Sequence, residues 1–248
     1  MALPIQNTPT FNLTIPSTNK KVRFRPFLVK EEKALLIAQQ SEDATIMIDT
    51  LKGIMGSCIL DKIDVDRLAT FDMEYIFTQI RSKSVGETVE LIVGCDEDHG
   101  EQNDKAKVKI IIDLSTIEVE KSKDHTNKIE LFGDVGVVMK YPNIEIISRF
   151  DKLQAGDIDS VFEIIADSVD YIYQGDEVFY SSETPREEIL QFLNNLTNEQ
   201  FKSIQLFFQT MPRIRKEIDY KCPLCGKEHH KVLEGLQSFF WLTSAMKR

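Results

Sequence analysis

The sequence predicts an α+β protein in which antiparallel β-hairpins alternate in blocks with helical segments and the C-terminal portion is mainly helical. Three observations predict it. Short runs of alternating polar and apolar residues come in pairs divided by turn residues, as hairpins require. Longer runs place apolar residues at i, i+3, i+4 and i+7, which is one face of a helix. The two kinds of run succeed each other in blocks, without the strict βαβ alternation of a doubly wound parallel sheet.

Phe11, Leu13 and Ile15 alternate with polar positions, Pro16-Ser-Thr-Asn19 supplies a turn, and Val22 and Phe24 alternate again, so residues 11–26 form a hairpin ended by Pro26. Three helices follow. Lys30 to Gln40 carries Leu35, Leu36 and Ala38 behind the acidic turn Glu31-Glu32. Residues 43–59 align Met47, Leu51, Ile54, Met55 and Cys58, and residues 71–82 align Met73, Ile76, Phe77 and Ile80. Cys58 on such a stripe reads as a small core residue. Residues 86–119 form a second hairpin, with strands at 89–93 and 108–114 around the long acidic loop 94–104. Short alternating runs at 117–119, 129–131 and 135–139 precede the break Tyr141-Pro142-Asn143. Ile158, Val161, Phe162, Ile165, Val169 and Ile172 share one helical stripe. Thr184 to Glu187 and Thr197 to Gln200 both read as capping boxes, the first with Pro185 at the first helical position. The helix after the second box carries Phe201, Ile204 and Phe208 and stops at Met211-Pro212. A third hairpin spans 214–233, and 236–246 reads as a short apolar terminal helix. The expected organisation is 1–115, 116–142 and 143–248, three stretches that can form one continuous domain.

The chain has 248 residues with 30 Lys+Arg against 40 Asp+Glu, a net charge of -10 and 42% apolar residues. It is long enough to bury a full core. The acidic balance argues against a protein that coats nucleic acid, which needs a basic footprint. Lys216, Lys221, Lys227, Lys231, Lys247 and Arg248 form too small a basic set to reverse this. No stretch approaches the roughly 18 apolar residues of a membrane span, and Met1 to Thr10 lacks the basic and apolar segments of a signal peptide. Four cysteines fit a reducing compartment better than a disulfide scaffold. Phosphate-loop, dinucleotide, nucleophile-elbow and zincin motifs are missing, and His99, His125, His229 and His230 form no triad pattern. No catalytic residue is assigned, and a non-enzymatic role is expected.

One segment carries chemistry. Lys221-Cys-Pro-Leu-Cys-Gly-Lys-Glu-His-His230 places two thiols at C-x-x-C spacing, and Gly226 permits the tight turn of a knuckle. Thiolate and imidazole donors favour Zn²⁺ over hard cations. Cys222 and Cys225 could be joined by His229, His230 or both, although adjacent strand residues point to opposite faces. Alternatively Cys95 and His99, spaced C-x-x-x-H in the acidic loop, complete a site across two hairpins. A pair of reduced cysteines in a plain turn is the metal-free reading. A redox pair fits less well, because Gly226 and a strand follow where a thioredoxin-like motif would open a helix. Any zinc here would be structural.

Three runs resemble the baseplate hub assembly proteins of T4-type contractile-tailed bacteriophages: Lys21 to Lys33, Leu68 to Glu87, and Leu233 to Phe240 behind the Cys-Pro-x-Cys-Gly knuckle. The resemblance implies a non-enzymatic tail assembly chaperone in the host bacterial cytoplasm, holding the tape-measure protein or other baseplate hub proteins, in one or several copies. A structural hub subunit retained in the virion baseplate is the alternative. A tape-measure protein exposes long amphipathic helices until it is enclosed, so helix-in-groove holding is the expected mode. Phe207, Phe208, Phe239, Phe240 and Trp241, in the Phe- and Leu-rich C-terminal helices, are the candidate contacts, each also compatible with a core position.

Overall fold

A computed structural model describes residues 7–41, 43–151 and 158–234. In chain order its elements are β1 (Phe11–Thr14), β2 (Lys21–Phe24), α1 (Val29–Ser41), α2 (Ala44–Cys58), α3 (Thr70–Val85), β3 (Thr88–Val93), β4 (Val108–Asp113), β5 (Val119–Glu120), β6 (Lys128–Phe132), β7 (Val135–Met139), α4 (Ile144–Asp151), α5 (Ile158–Asp167), β8 (Val169–Gln174), β9 (Glu177–Tyr180), α6 (Arg186–Asn194), α7 (Asn198–Thr210), β10 (Arg213–Lys221) and β11 (Glu228–Glu234). The α+β class holds, and among the described residues every strand pairing is antiparallel. The chain divides into two compact units. One takes residues 66–70 and 121–212, and the other takes the rest, drawn from both ends of the sequence.

In the unit built from both ends, β1 and β2 pair with Leu13 opposite Val22, and Leu13, Ile15, Val22 and Phe24 are all buried. The turn uses Asn19 at φ 55°, a left-handed conformation that asparagine tolerates. Glu31 fixes the start of α1, accepting the Leu28 N–H at 2.6 Å and pairing with Arg25 at 2.9 Å. Leu35 and Ala38 are buried as expected, whereas Leu36 is exposed because it falls off the 3.6-residue stripe. Asp43 caps α2 through the Thr45 N–H at 2.7 Å, and Cys58 is fully buried, which pushes its thiol up to about 11. The β3–β4 and β10–β11 hairpins share one apolar cluster. Val89, Val93 and Ile112 meet Ile214, Ile218 and Leu233 there, with Leu114 and Ile117 between.

The other unit is a four-stranded sheet in the order β6-β7-β8-β9. Its inner residues Ile129, Val137, Met139 and Val169 pack with Ile165, Ile189, Leu193, Ile204 and Phe207 of α5, α6 and α7. Two expectations are corrected in this unit. The stripe from Ile158 to Ile172 is not one helix: α5 stops at Asp167, and Val169 and Ile172 belong to β8. Ser168 ends the helix by turning its hydroxyl back to the Ile164 carbonyl at 2.9 Å, and Val-Asp-Tyr-Ile-Tyr, rich in β-branched and aromatic residues, favours a strand before the turn at Gly175. Thr184 does not cap α6. Pro185 stands at the N-cap, and the Thr184 hydroxyl donates instead to the Tyr180 carbonyl at 2.9 Å. The box at Thr197 forms as expected, with reciprocal bonds of 2.8 and 3.4 Å to Gln200. The apolar segment 236–246 lies outside the described residues.

Candidate metal centre

The centre is built where two hairpins of one unit meet. The C-x-x-C knuckle closes the β10–β11 hairpin. Cys222 N–H donates to the Lys227 carbonyl at 2.9 Å, and Gly226 N–H returns to the Cys222 carbonyl at 3.0 Å. Gly226 has φ 72°, so the turn needs a residue free to enter the left-handed region. The N–H groups of Cys225 and Leu224 point at the Cys222 sulfur and, with the sulfurs of Cys225 and Cys95, hold its pKa down to about 6. Backbone N–H groups aimed at a sulfur stabilise its thiolate, which is the form that binds metal.

The loop between β3 and β4 brings the other donors. The Glu97 N–H donates to the Cys95 sulfur at 3.4 Å. His99 is set by a short helical turn in which its own N–H donates to Asn103 at 2.8 Å, while Asp98 accepts from Gly100 and Asn103. Partial burial raises the Cys95 thiol, and the neighbouring Cys222 and Cys225 raise it further. Three sulfurs this close resist joint ionisation unless a cation shares them. The two hairpins are also joined by an ion pair between Lys227 and Glu97 and by the Tyr220 hydroxyl, which donates to the Gly94 carbonyl at 2.7 Å.

The ligand atoms of Cys95, His99, Cys222 and Cys225 all lie within 4.8 Å of one another. This three-cysteine, one-histidine group could hold a metal ion such as zinc. The loop pair Cys95 and His99, one of the two arrangements open from sequence, is thus brought to Cys222 and Cys225. His229 is buried beside the group but not part of it. Its Nε2 is 3.2 Å from the Cys95 sulfur, its Nδ1 is 3.1 Å from Asp96, and its ring stacks on Tyr220. His230, on the opposite face of β11, is exposed and pairs with Asp219 at 2.8 Å. Asp96 and Tyr220 escaped the sequence reading, because neither residue type nor spacing marks a supporting partner. Their only signal was position, one beside Cys95 and one two residues before Cys222.

The apolar candidates lie elsewhere. Phe207 is 2% exposed and stacks on Tyr141 inside the sheet-and-helix unit, and Phe208 is partly buried edge-on against it. Both pack that core. Leu206, between them and Gln205, is the exposed apolar residue of α7. Phe239, Phe240 and Trp241 lie outside the described residues. Among the described residues no helix is long and apolar enough to cross a membrane.

The family described as T4 bacteriophage base plate protein matches residues 8–241, nearly the whole chain, and the protein belongs to that family. No curated protein and no solved structure matches it. Membership implies that it works with other baseplate proteins of a T4-type phage.

Proposed function

We propose that the protein is a non-enzymatic assembly factor of the baseplate hub, a chaperone that holds the tape-measure protein or hub components in the host cytoplasm before the tail tube encloses them. The family match over residues 8–241 carries this reading. The physical requirement fits: an amphipathic helical client aggregates unless its apolar face is covered, and an acidic chain of net charge -10 keeps such a complex dispersed. The metal in this reading is a structural Zn²⁺, because four protein donors fill a tetrahedral site and leave no position for substrate.

Co-expression with the phage's tape-measure protein, followed by native mass spectrometry, tests the holding role. A soluble complex of defined stoichiometry is the expected result. A tape-measure protein that precipitates while this chain stays free overturns it. Its presence at full stoichiometry in purified virions would favour a retained hub subunit instead.

A further inference from the structure

We propose that one zinc ion, bound by Cys95, His99, Cys222 and Cys225, is the clasp that fastens the β3–β4 loop to the β10–β11 turn, and that His229 acts as a positioning residue that holds the Cys95 sulfur in place. The proposal deepens the structural-zinc reading and is independent of the partner that the protein holds.

Geometry supports the four-donor set. In a tetrahedral site with Zn–S about 2.3 Å and Zn–N about 2.0–2.1 Å, two sulfurs stand about 3.8 Å apart and a sulfur and a nitrogen about 3.5 Å apart. The Cys95 and Cys225 sulfurs are 3.7 Å apart, and the Cys222 sulfur is 3.5 Å from His99 Nε2. A disulfide would need about 2.05 Å, so the sulfurs are spaced as co-ligands and not as a bonded pair. The donors are also held as metal sites hold them, by backbone N–H groups on Cys95 and Cys222 and by a glycine turn between Cys225 and β11. Three soft thiolates with one imidazole select zinc over calcium or magnesium.

The role of His229 follows from its contacts. It stands outside the group of four donors whose ligand atoms lie within 4.8 Å of one another, and its Nε2 is 3.2 Å from the Cys95 sulfur, within hydrogen-bond reach. Asp96 at 3.1 Å and the stacked Tyr220 ring fix the imidazole plane from the other sides. Partners of this kind orient a ligand, and removing one typically costs ten- to a hundredfold in metal affinity. The clasp joins positions 130 residues apart, which closes the unit drawn from both ends of the chain.

The test uses the full-length protein and zinc itself. Native mass spectrometry should find one zinc per chain. Alkylation with iodoacetamide, read by peptide mass spectrometry, should leave Cys95, Cys222 and Cys225 all protected with zinc and all labelled after chelation, while Cys58 stays protected in both. A protein that binds no zinc overturns the clasp. Zinc that protects Cys222 and Cys225 but leaves Cys95 labelled at its chelated rate overturns the ligand set, and this reading needs no variant to fold. His229→Ala should keep one zinc per chain but surrender it to a chelator about tenfold faster or more, with His229→Gln, which retains an N–H donor, restoring most of the difference. An unchanged rate overturns the positioning role, and complete loss of zinc makes His229 a ligand and overturns the four-donor set. His230→Ala should leave stoichiometry and rate unchanged, and loss of zinc there also overturns it.

Discussion

In the unit formed by residues 66–70 and 121–212, four strands make one sheet, and ten buried side chains from Ile129 to Phe207 join that sheet to α5, α6 and α7. In the unit drawn from both ends, the described strands divide among sheets of two, three and two strands, and the cluster beneath the two central hairpins has eight buried residues. A two-stranded hairpin is marginal alone and gains stability only by packing on something else. The first unit therefore rests on burial. The other unit buries side chains of β1, β2 and α1 to α3 as well, among them Phe24, Leu51, Met55, Met73 and Ile76, and adds the cysteine–histidine cluster at the end of its two central hairpins, where a cross-link can hold two marginal hairpins together.

Metal removal should separate the units most sharply. A cross-link closing a loop of 130 residues is worth about 5 kcal/mol on the chain-entropy account. Chelation of the zinc-loaded protein should therefore strip hydrogen-exchange protection from β3, β4, β10 and β11 while β7 and β8 keep theirs. Equal loss in both units would mean that they do not differ in this way.

The reverse asymmetry should follow from core substitutions. Phe207→Ala removes a buried ring and should cost about 3–5 kcal/mol, read as a lower unfolding midpoint for the sheet-and-helix unit. Gly136 lies in β7, where an added Cβ would meet the Tyr173 ring and stand 2.5 Å from the Ile129 carbonyl oxygen. Gly136→Ala should cost roughly 1–3 kcal/mol in the same unit. Neither change should accelerate zinc release. If both do, the clasp depends on the other unit.

Legibility in the sequence divided along a similar line. Local patterns sufficed for the first two hairpins, the first three helices and the Thr197 box, because each is decided by spacing within about a dozen residues. At residues 158–172 the spacing of Val169 and Ile172 continued a helical stripe, and only pairing with β7, through a register shift between Val138 and Met139, made 169–174 a strand. The metal donors showed the same split. Cys222 and Cys225 were legible from C-x-x-C, but whether Cys95 and His99 joined them depended on a contact across 130 residues that no local pattern encodes. His229 and His230 were nearer in sequence, and strand alternation turns one toward the cluster's edge and the other to solvent.

Protonation offers a gentler way to load the sheet-and-helix unit. Half-buried His125 lies against Tyr141 and Phe207. The Thr210 hydroxyl donates to the Leu206 carbonyl, so it accepts from His125 Nδ1–H at 2.9 Å, leaving Nε2 to accept from the Tyr141 hydroxyl at 3.0 Å. Burial lowers the His125 pKa below its ordinary 6.5. The unfolded chain therefore takes up this proton at a higher pH than the folded one, and the His125 contribution to stability is present above about pH 6.5 and lost as pH falls through the folded value. Urea midpoints at pH 7.5 and 5.5 should drop more for the native protein than for His125→Gln. Equal drops would assign the acid sensitivity of this unit to its carboxylates.

The smallest expected effect compares two threonines that look alike in sequence. Both precede a helix with an acid or amide three residues on, yet Thr197 accepts from the Gln200 N–H whereas Thr184 donates to the carbonyl of Tyr180. A helix N-terminus leaves N–H groups without partners, and only an accepting oxygen relieves that deficit. Thr197→Ala should cost about 1 kcal/mol and increase exchange of the first-turn amides of α7. Thr184→Ala should loosen the turn after β9 by less than about 1 kcal/mol and leave the first-turn amides of α6 unchanged, because Pro185 occupies the cap position and offers no side-chain acceptor. Faster exchange at the start of α6 in Thr184→Ala would show the turn and the helix to be one cooperative piece.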